Sequence, residues 1–238
     1  QKHALVKREG FSVGGICKGS GMIAPNMGTM LAFIYTDAKV DAKQLSGALK
    51  LATTRSFNRV VVDGDTSTTD IALFTATGEA GRVGAKEFSS ALEECCRRLA
   101  EQIARDGEGA TKLLQITVTG AKKEDDAEKV ARTVIESPLV KSAVYGEDPN
   151  WGRVVAAAGR AGVKFNPDAV SLWISDGKKK HPLVKSGEII ADLTAAKKAM
   201  QGKDVVFVLD LAAGKAEATA WGCDLTEKYV EINGKYTT

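Results

Sequence analysis

Thr29 sits where a glycine-rich stretch turns abruptly apolar, in KGSGMIAPNMGTMLAF (residues 18–33), with Gly28 directly before it. A threonine hydroxyl is a weak nucleophile unless a base stands beside it. One such base needs no second residue. If the Gly28–Thr29 peptide bond is cut, Thr29 gains a free α-amine next to its own hydroxyl, and α-amines titrate near neutral pH. The same hydroxyl would first attack the Gly28 carbonyl, giving an ester that water then opens. Glycine on the leaving side suits this, because it allows backbone shapes that other residues avoid. The pair also fits a plainer description, a loop feeding a buried strand, and residue type alone leaves both open.

Other chemistries find less support. The only histidines, His3 and His181, are isolated, which speaks against a zinc site and against a Ser-His-Asp triad. The glycines of VGGICKGSG lack the Lys-Ser or Lys-Thr that a phosphate-binding P-loop places after its second glycine. A net charge of +3 with no basic cluster argues against nucleic acid. The run Lys178-Lys179-Lys180-His181 follows Asp176-Gly177 and reads as a hairpin tip in water. No apolar run reaches the length of a membrane span, and no signal peptide is visible. Opening on Gln1, the chain reads as a fragment or a processing product. Cys17, Cys95, Cys96 and Cys223 form no CxxC pair and read as reduced, buried thiols of a cytosolic-type compartment. No metal and no cofactor are expected.

The elements that must position Thr29 follow from periodicity. TMLAFIYTDA predicts a strand buried on both faces. DAKQLSGALKLATTRSFNRV predicts a helix capped by Asp41, with a stripe of Leu45, Leu49 and Ala52. VVVDGDTSTTDIALFTAT predicts two short strands around a polar loop. Phe88, Leu92, Cys95, Leu99 and Ile103 recur at helical spacing, ending near Gly107. A strand (TKLLQITVTGA), a helix stopped by Pro138 and a short strand (LVKSAVYG) follow. In the last third, AVSLWISDGKKKHPLV, DVVFVLDLAAGKAEATAWGCDL and KYVEINGKYTT alternate in the manner of strands with Asp-Gly, Ala-Gly and Asn-Gly turns, around a short helix in ADLTAAKKAMQG. The expected class is α+β, with helices on mixed, largely antiparallel sheets. The softest place to divide the chain is near residues 137–150.

Five segments together narrow the reading: KGSGMIAPNMGTMLAFIYTDA, VDGDTSTTD, GEGATK, GEDPNWGRVVAAAGRAG and YVEINGKYTT, in this order over essentially all 238 residues. They resemble the bifunctional ornithine acetyltransferase / glutamate N-acetyltransferase family of arginine biosynthesis. That resemblance implies an N-terminal-nucleophile fold and a precursor that cuts itself before a threonine in a TML motif. Residues 1–28 would then correspond to the tail of the α chain and residues 29–238 to the whole β chain, with the upstream α segment absent. It implies acetyl transfer from N-acetylornithine to glutamate through an acetyl-threonine, with acetyl-CoA as an alternative donor in some relatives. It further implies an α2β2 heterotetramer, in the cytoplasm or, in a eukaryote, the mitochondrial matrix.

Residue by residue, the resemblance makes Thr29 the nucleophile and Lys18, eleven residues earlier, a substrate-binding lysine. Glu108 in GEGATK becomes a substrate-binding acid, which suits the side-chain ammonium of ornithine. Asn233 and Thr238 help to close the site. By type alone, these residues read as a solvated loop lysine, a helix-end glutamate, a turn and a frayed tail. Asp65, Ser67 and Asp70 are expected near the site or supporting it by backbone bonds. Asp148, Asn150 and Arg153 could orient a loop, or Trp151 could anchor it. Two departures stand out: Gly28 replaces the family's usual alanine, with scission still expected, and Thr69 replaces the asparagine of an STND loop. The oxyanion hole would come from a Thr-Gly pair of the upstream segment. The competing readings are an N-terminal-nucleophile hydrolase or aminopeptidase using water as acceptor, and a non-catalytic binding domain.

Overall fold

The computed structural model describes residues 1–24, 30–66, 70–190 and 192–235. Gly28, Thr29 and Thr238 lie outside the described residues, as do Ser67 and Thr69. The chain is α+β and divides into two units, Gln1–Asp106 and Gly107–Thr238. Residues 137–150 lie inside the second unit.

The first unit holds a four-stranded sheet in the order β1-β2-β3-β5. Strand β1 (Lys2–Arg8) and β2 (Phe11–Lys18) form a hairpin, and β2 runs antiparallel to β3 (Leu31–Thr36). The short strand β4 (Val60–Val61) precedes β5 (Ile71–Ala76), which lies parallel to β3. β3 is buried on one face, not on both as expected, because alternation sends Val13, Ala32 and Ile34 inward, whereas Leu5, Ile16, Tyr35, Ile71 and Leu73 are exposed on the other face. Helix α1 (Ala42–Thr54) starts at Asp41, whose side chain accepts from the Gln44 amide at 2.8 Å. Its stripe is carried by Ala48 and Ala52, with Leu45 and Leu49 half-buried.

Helix α2 (Ala85–Arg105) buries Phe88, Leu92, Cys95, Cys96, Leu99 and Ile103. It approaches the sheet closely because Gly15 carries no side chain. A Cβ there would stand 3.0 Å from Leu99 Cδ1 and 3.2 Å from the Phe33 carbonyl oxygen. Burial pushes the thiols of Cys17 and Cys95 up, to about 12 and about 11.

The second unit holds the strand order β11-β6-β10-β7-β8-β9. Strand β6 (Leu113–Ala121) pairs parallel with β10 (Asp204–Asp210) and antiparallel with β11 (Ala216–Cys223). Strands β7 (Ser171–Ser175), β8 (Lys180–Lys185) and β9 (Glu188–Ile189) continue antiparallel. Helices α3 (Glu124–Glu136), α4 (Pro138–Tyr145), α5 (Trp151–Gly159) and α6 (Thr194–Met200) complete the unit, with α7 (Glu227–Lys235) after β11.

Two expected strands are helices. LVKSAVYG forms α4: Pro138 occupies the first turn, where its missing N–H costs nothing, and Val140, Ala143 and Val144 bury at helical spacing. The buried Lys141 also needs that helix, since its Nζ donates to the Cys223 carbonyl at 2.5 Å and so holds the end of β11. YVEINGKYTT was expected to turn at Asn-Gly, but residues through Lys235 form α7. There Glu231 pairs with both Lys228 and Lys235 at 2.9 Å, and Asn233 Nδ2 donates to the Tyr229 carbonyl at 3.1 Å. These bonds along the helix outweigh the turn preference of an Asn-Gly pair.

Candidate active site

In the first unit, the residues flanking 25–29 are held by the polar loop between β4 and β5. Asp63 accepts from the Met22 amide at 2.6 Å and the Ile23 amide at 3.0 Å. The Val62 amide donates to the Ile23 carbonyl at 2.8 Å, so residues 22–23 are fixed from both directions. Met22 needs this support, because its φ of 52° lies in the left-handed region that disfavours a bulky side chain.

On the downstream side, Asp70 Oδ1 accepts from the Met30 amide at 2.6 Å, and the Ile71 amide donates to the Met30 carbonyl at 3.0 Å. Among the described residues, the second oxygen, Asp70 Oδ2, is buried without a hydrogen-bond partner. Burial raises the Asp70 pKa, and the Met30 amide only partly opposes this. Lys18 ends β2 opposite Leu31, the first residue of β3, and Leu31 lies opposite Ile71 on its other side. The exposed Lys18 therefore stands at the same sheet end as Met30 and Asp70.

In the second unit, Glu108 sits on the tight turn that precedes β6, where the Ala110 amide donates to the Gly107 carbonyl at 3.0 Å. Helix α7 lies directly on that turn. Thr226 Oγ1 donates to the Gly109 carbonyl at 2.7 Å, and the same oxygen receives the Tyr229 amide at 3.4 Å as the helix begins. Gly109 permits the approach with φ +70°, and a Cβ there would stand 2.5 Å from the Tyr229 nitrogen. Two turns along, Asn233 Nδ2 donates to Glu108 Oε2 at 3.0 Å. Asp224, buried at the end of β11, accepts from the Thr111 and Lys112 amides at 2.8 and 3.0 Å and from the Thr111 hydroxyl.

Of the residues expected from the sequence, Glu108 and Asn233 are thus in direct contact, although 125 positions apart. Lys18 is placed at the mouth of β3. Asp70 supports the backbone, as expected, but Asp63 shares that task and was not singled out. Its signal is the first acid after a valine run, where backbone amides need acceptors. Asp224 and Thr226 were also missed, because α7 was read as a strand.

GEDPNWGR forms a joint between helices. Asn150 Oδ1 accepts the Arg153 amide at 3.1 Å as the cap of α5, and Arg153 Nη1 returns to the Leu139 carbonyl at 3.0 Å. His181 Nε2 faces Asp176 Oδ2 at 2.9 Å on the β7–β8 hairpin. Among the described residues, no helix is long and apolar enough to cross a membrane.

A family model described as "ArgJ family" matches residues 1–238. A glutamate N-acetyltransferase of Methanosarcina mazei is 54% identical over 235 residues, covering 96% of this chain and 60% of that protein. An arginine biosynthesis bifunctional protein ArgJ of Symbiobacterium thermophilum is 52% identical, covering 95% and 58% respectively. The chain therefore spans about three fifths of the length of these curated relatives. The crystal structure of the arginine biosynthesis bifunctional protein ArgJ from Bacillus halodurans superposes with a TM-score of 0.79 at 39% identity. That match covers 84% of this chain and 96% of that one.

Proposed function

The chain belongs to the ArgJ family, and on that premise we propose that it carries the threonine half of an acetyltransferase active site. Thr29 Oγ attacks the Gly28 carbonyl, the C–N bond breaks to free the Thr29 α-amine and leave an ester, and water hydrolyses that ester to the Gly28 carboxylate and the Thr29 hydroxyl. In each turnover, Thr29 Oγ attacks the acetyl carbonyl of N-acetylornithine while the α-amine takes the hydroxyl proton. That proton passes to the departing ornithine nitrogen, and the acetyl group remains as an ester. The α-amine of glutamate then attacks the ester, giving N-acetylglutamate and restoring the hydroxyl. Splitting one amide exchange into two ester steps is what a covalent intermediate contributes.

Glu108 pairs with the side-chain ammonium of ornithine, Lys18 with a substrate carboxylate, and Asn233 and Thr238 close the site from the C-terminal end. The upstream part of the protein supplies the oxyanion hole, in an α2β2 assembly in the cytoplasm, and acetyl-CoA is an alternative donor. The observation that carries this reading is the Asn233–Glu108 hydrogen bond. It joins an acid to a C-terminal residue that local pattern alone would have left as unrelated surface groups.

The test is intact mass followed by kinetics. Wild type is expected as two chains split at Gly28–Thr29, with ornithine release that depends on glutamate in a ping-pong pattern. Thr29→Ala should remain uncut and inactive. Ornithine release indifferent to glutamate would identify the hydrolase instead, and an uncut wild type with full transfer activity would sink the nucleophile assignment.

A further inference from the structure

Among the described residues, the buried Oδ2 of Asp70 has no hydrogen-bond partner, while Oδ1 of the same carboxylate is fixed on the Met30 amide. A buried carboxylate oxygen is costly unless a donor, and best a cation, stands against it. We propose that the partner is created by the chain's own cleavage: Oδ2 of Asp70 receives the α-amine of Thr29 once the Gly28–Thr29 bond is cut. This rests on the reading of Thr29 as the nucleophile and gives Asp70 the role of positioning residue for its base.

Covalent geometry carries the argument. Successive backbone nitrogens lie within about 4 Å of each other whatever the torsions between them. Asp70 already holds the nitrogen of residue 30 at 2.6 Å, so an amine on residue 29 is within reach of the same carboxylate. Before cleavage, that nitrogen is a neutral amide. After it, the nitrogen can become an ammonium when it takes the hydroxyl proton, and a half-buried carboxylate with one enclosed oxygen favours that charged form. Asp63 offers the contrast: both its oxygens are occupied by backbone amides of residues 22, 23 and 65. The other ionisable groups at this sheet end are Lys18 on β2, across β3, and Asp63 and Asp65 in the β4–β5 loop.

The sign of the effect is fixed. An adjacent carboxylate raises the pKa of an amine, and the amine acts as base only when neutral. The acid limb of kcat/KM should therefore lie higher with Asp70 than without it. Asn is the informative replacement: it keeps an oxygen for the Met30 amide and puts a neutral NH2 donor in place of the charged oxygen facing the amine.

The experiment labels the full-length protein, after confirming its cleavage by mass, with carbon-13 formaldehyde under reducing conditions and titrates the methylated Thr29 α-amine by NMR. In wild type it should titrate above the ordinary α-amine range of about 7.7–8.0. Asp70→Asn should lower it by about one unit, the scale of one nearby opposite charge, and carry the acid limb of kcat/KM down with it. Asp63→Asn should leave the titration in place. A wild-type amine at its ordinary value overturns the proposal, even where Asp70→Asn fails to fold or to cut. An amine unmoved by Asp70→Asn overturns it as well. An uncut wild type removes the nucleophile reading and this proposal together, whereas a cut chain with an ordinary amine removes this proposal alone.

Discussion

Asp70 in the first unit and Glu108 in the second are both carboxylates with one hydrogen-bonded oxygen, and their surroundings differ. Asp70 lies at the start of a strand, with one oxygen on a backbone amide at 2.6 Å and the other buried. Glu108 lies on a turn, half-exposed, with a side-chain amide of an exposed helix at 3.0 Å. A backbone amide fixed in a sheet cannot leave its acceptor without breaking the sheet. An exposed asparagine side chain can swing away when an ammonium arrives. The first acid is therefore placed to hold part of the protein, and the proposed role of the second is to exchange its partner for a ligand.

The largest effect that can break this division comes from Glu108→Gln. A hydrogen bond to a charged group contributes about 1.5–3 kcal/mol, which corresponds to a rise in KM for N-acetylornithine on the order of 10- to 100-fold. kcat should change by no more than a few-fold, and the melting temperature should hold, since the residue is only half-buried and buries no charge when neutralised. Asp70→Asn should fall on the other axis, moving the acid limb of the pH profile down by about one unit with little change in KM. Steady-state kinetics on both variants would refute the division if Glu108→Gln acted on kcat alone.

Gly109→Ala is expected to act next most strongly, and on both axes. It forces a side chain into a positive φ and against the Tyr229 nitrogen at 2.5 Å. Strain of this kind costs about 1–3 kcal/mol, and each kcal/mol lowers the melting temperature of a chain this size by about 2–4 °C. Thermal unfolding should show that loss, and KM for N-acetylornithine should rise because Asn233 is carried away with the helix. An unshifted melting curve with unshifted KM would mean that α7 does not need the turn.

Much of this comparison was legible in the sequence, though unevenly. The strand of Leu31–Thr36, the Asp41 cap and the stripe of α2 follow from period and capping alone, because each is decided by neighbours within one turn or one pleat. The helix α7 was not legible. Asn233-Gly234 locally favours a turn, and what overrides it includes the Thr226 cap, whose other bond reaches Gly109 across the fold. Helix α4 failed for a related reason: its β-branched residues favour a strand, while the buried Lys141 bond to Cys223 exists only in three dimensions. The acids of VDGDTSTTD were visible as a polar loop, but which of them grips which amide is set by the pairing of β3 with β5. The contact of Glu108 with Asn233 was legible only through resemblance, since nothing local relates residues 125 apart.

The smallest effect is the most discriminating. Asn233→Ala removes two exposed hydrogen bonds, one to the Tyr229 carbonyl and one to Glu108; the bond to Glu108 is worth about 0.5–1.5 kcal/mol, so KM for N-acetylornithine should rise roughly 2- to 10-fold with little change in melting temperature. If Asn233 acts by aiming Glu108, its loss should matter less once Glu108 is already neutral. The double variant Glu108→Gln/Asn233→Ala should then resemble Glu108→Gln alone in a double-mutant cycle. Strict additivity would mean that Asn233 meets the substrate independently. An Asn233→Ala effect larger than that of Glu108→Gln would reverse the assignment, making the amide the recognition group and the carboxylate its support.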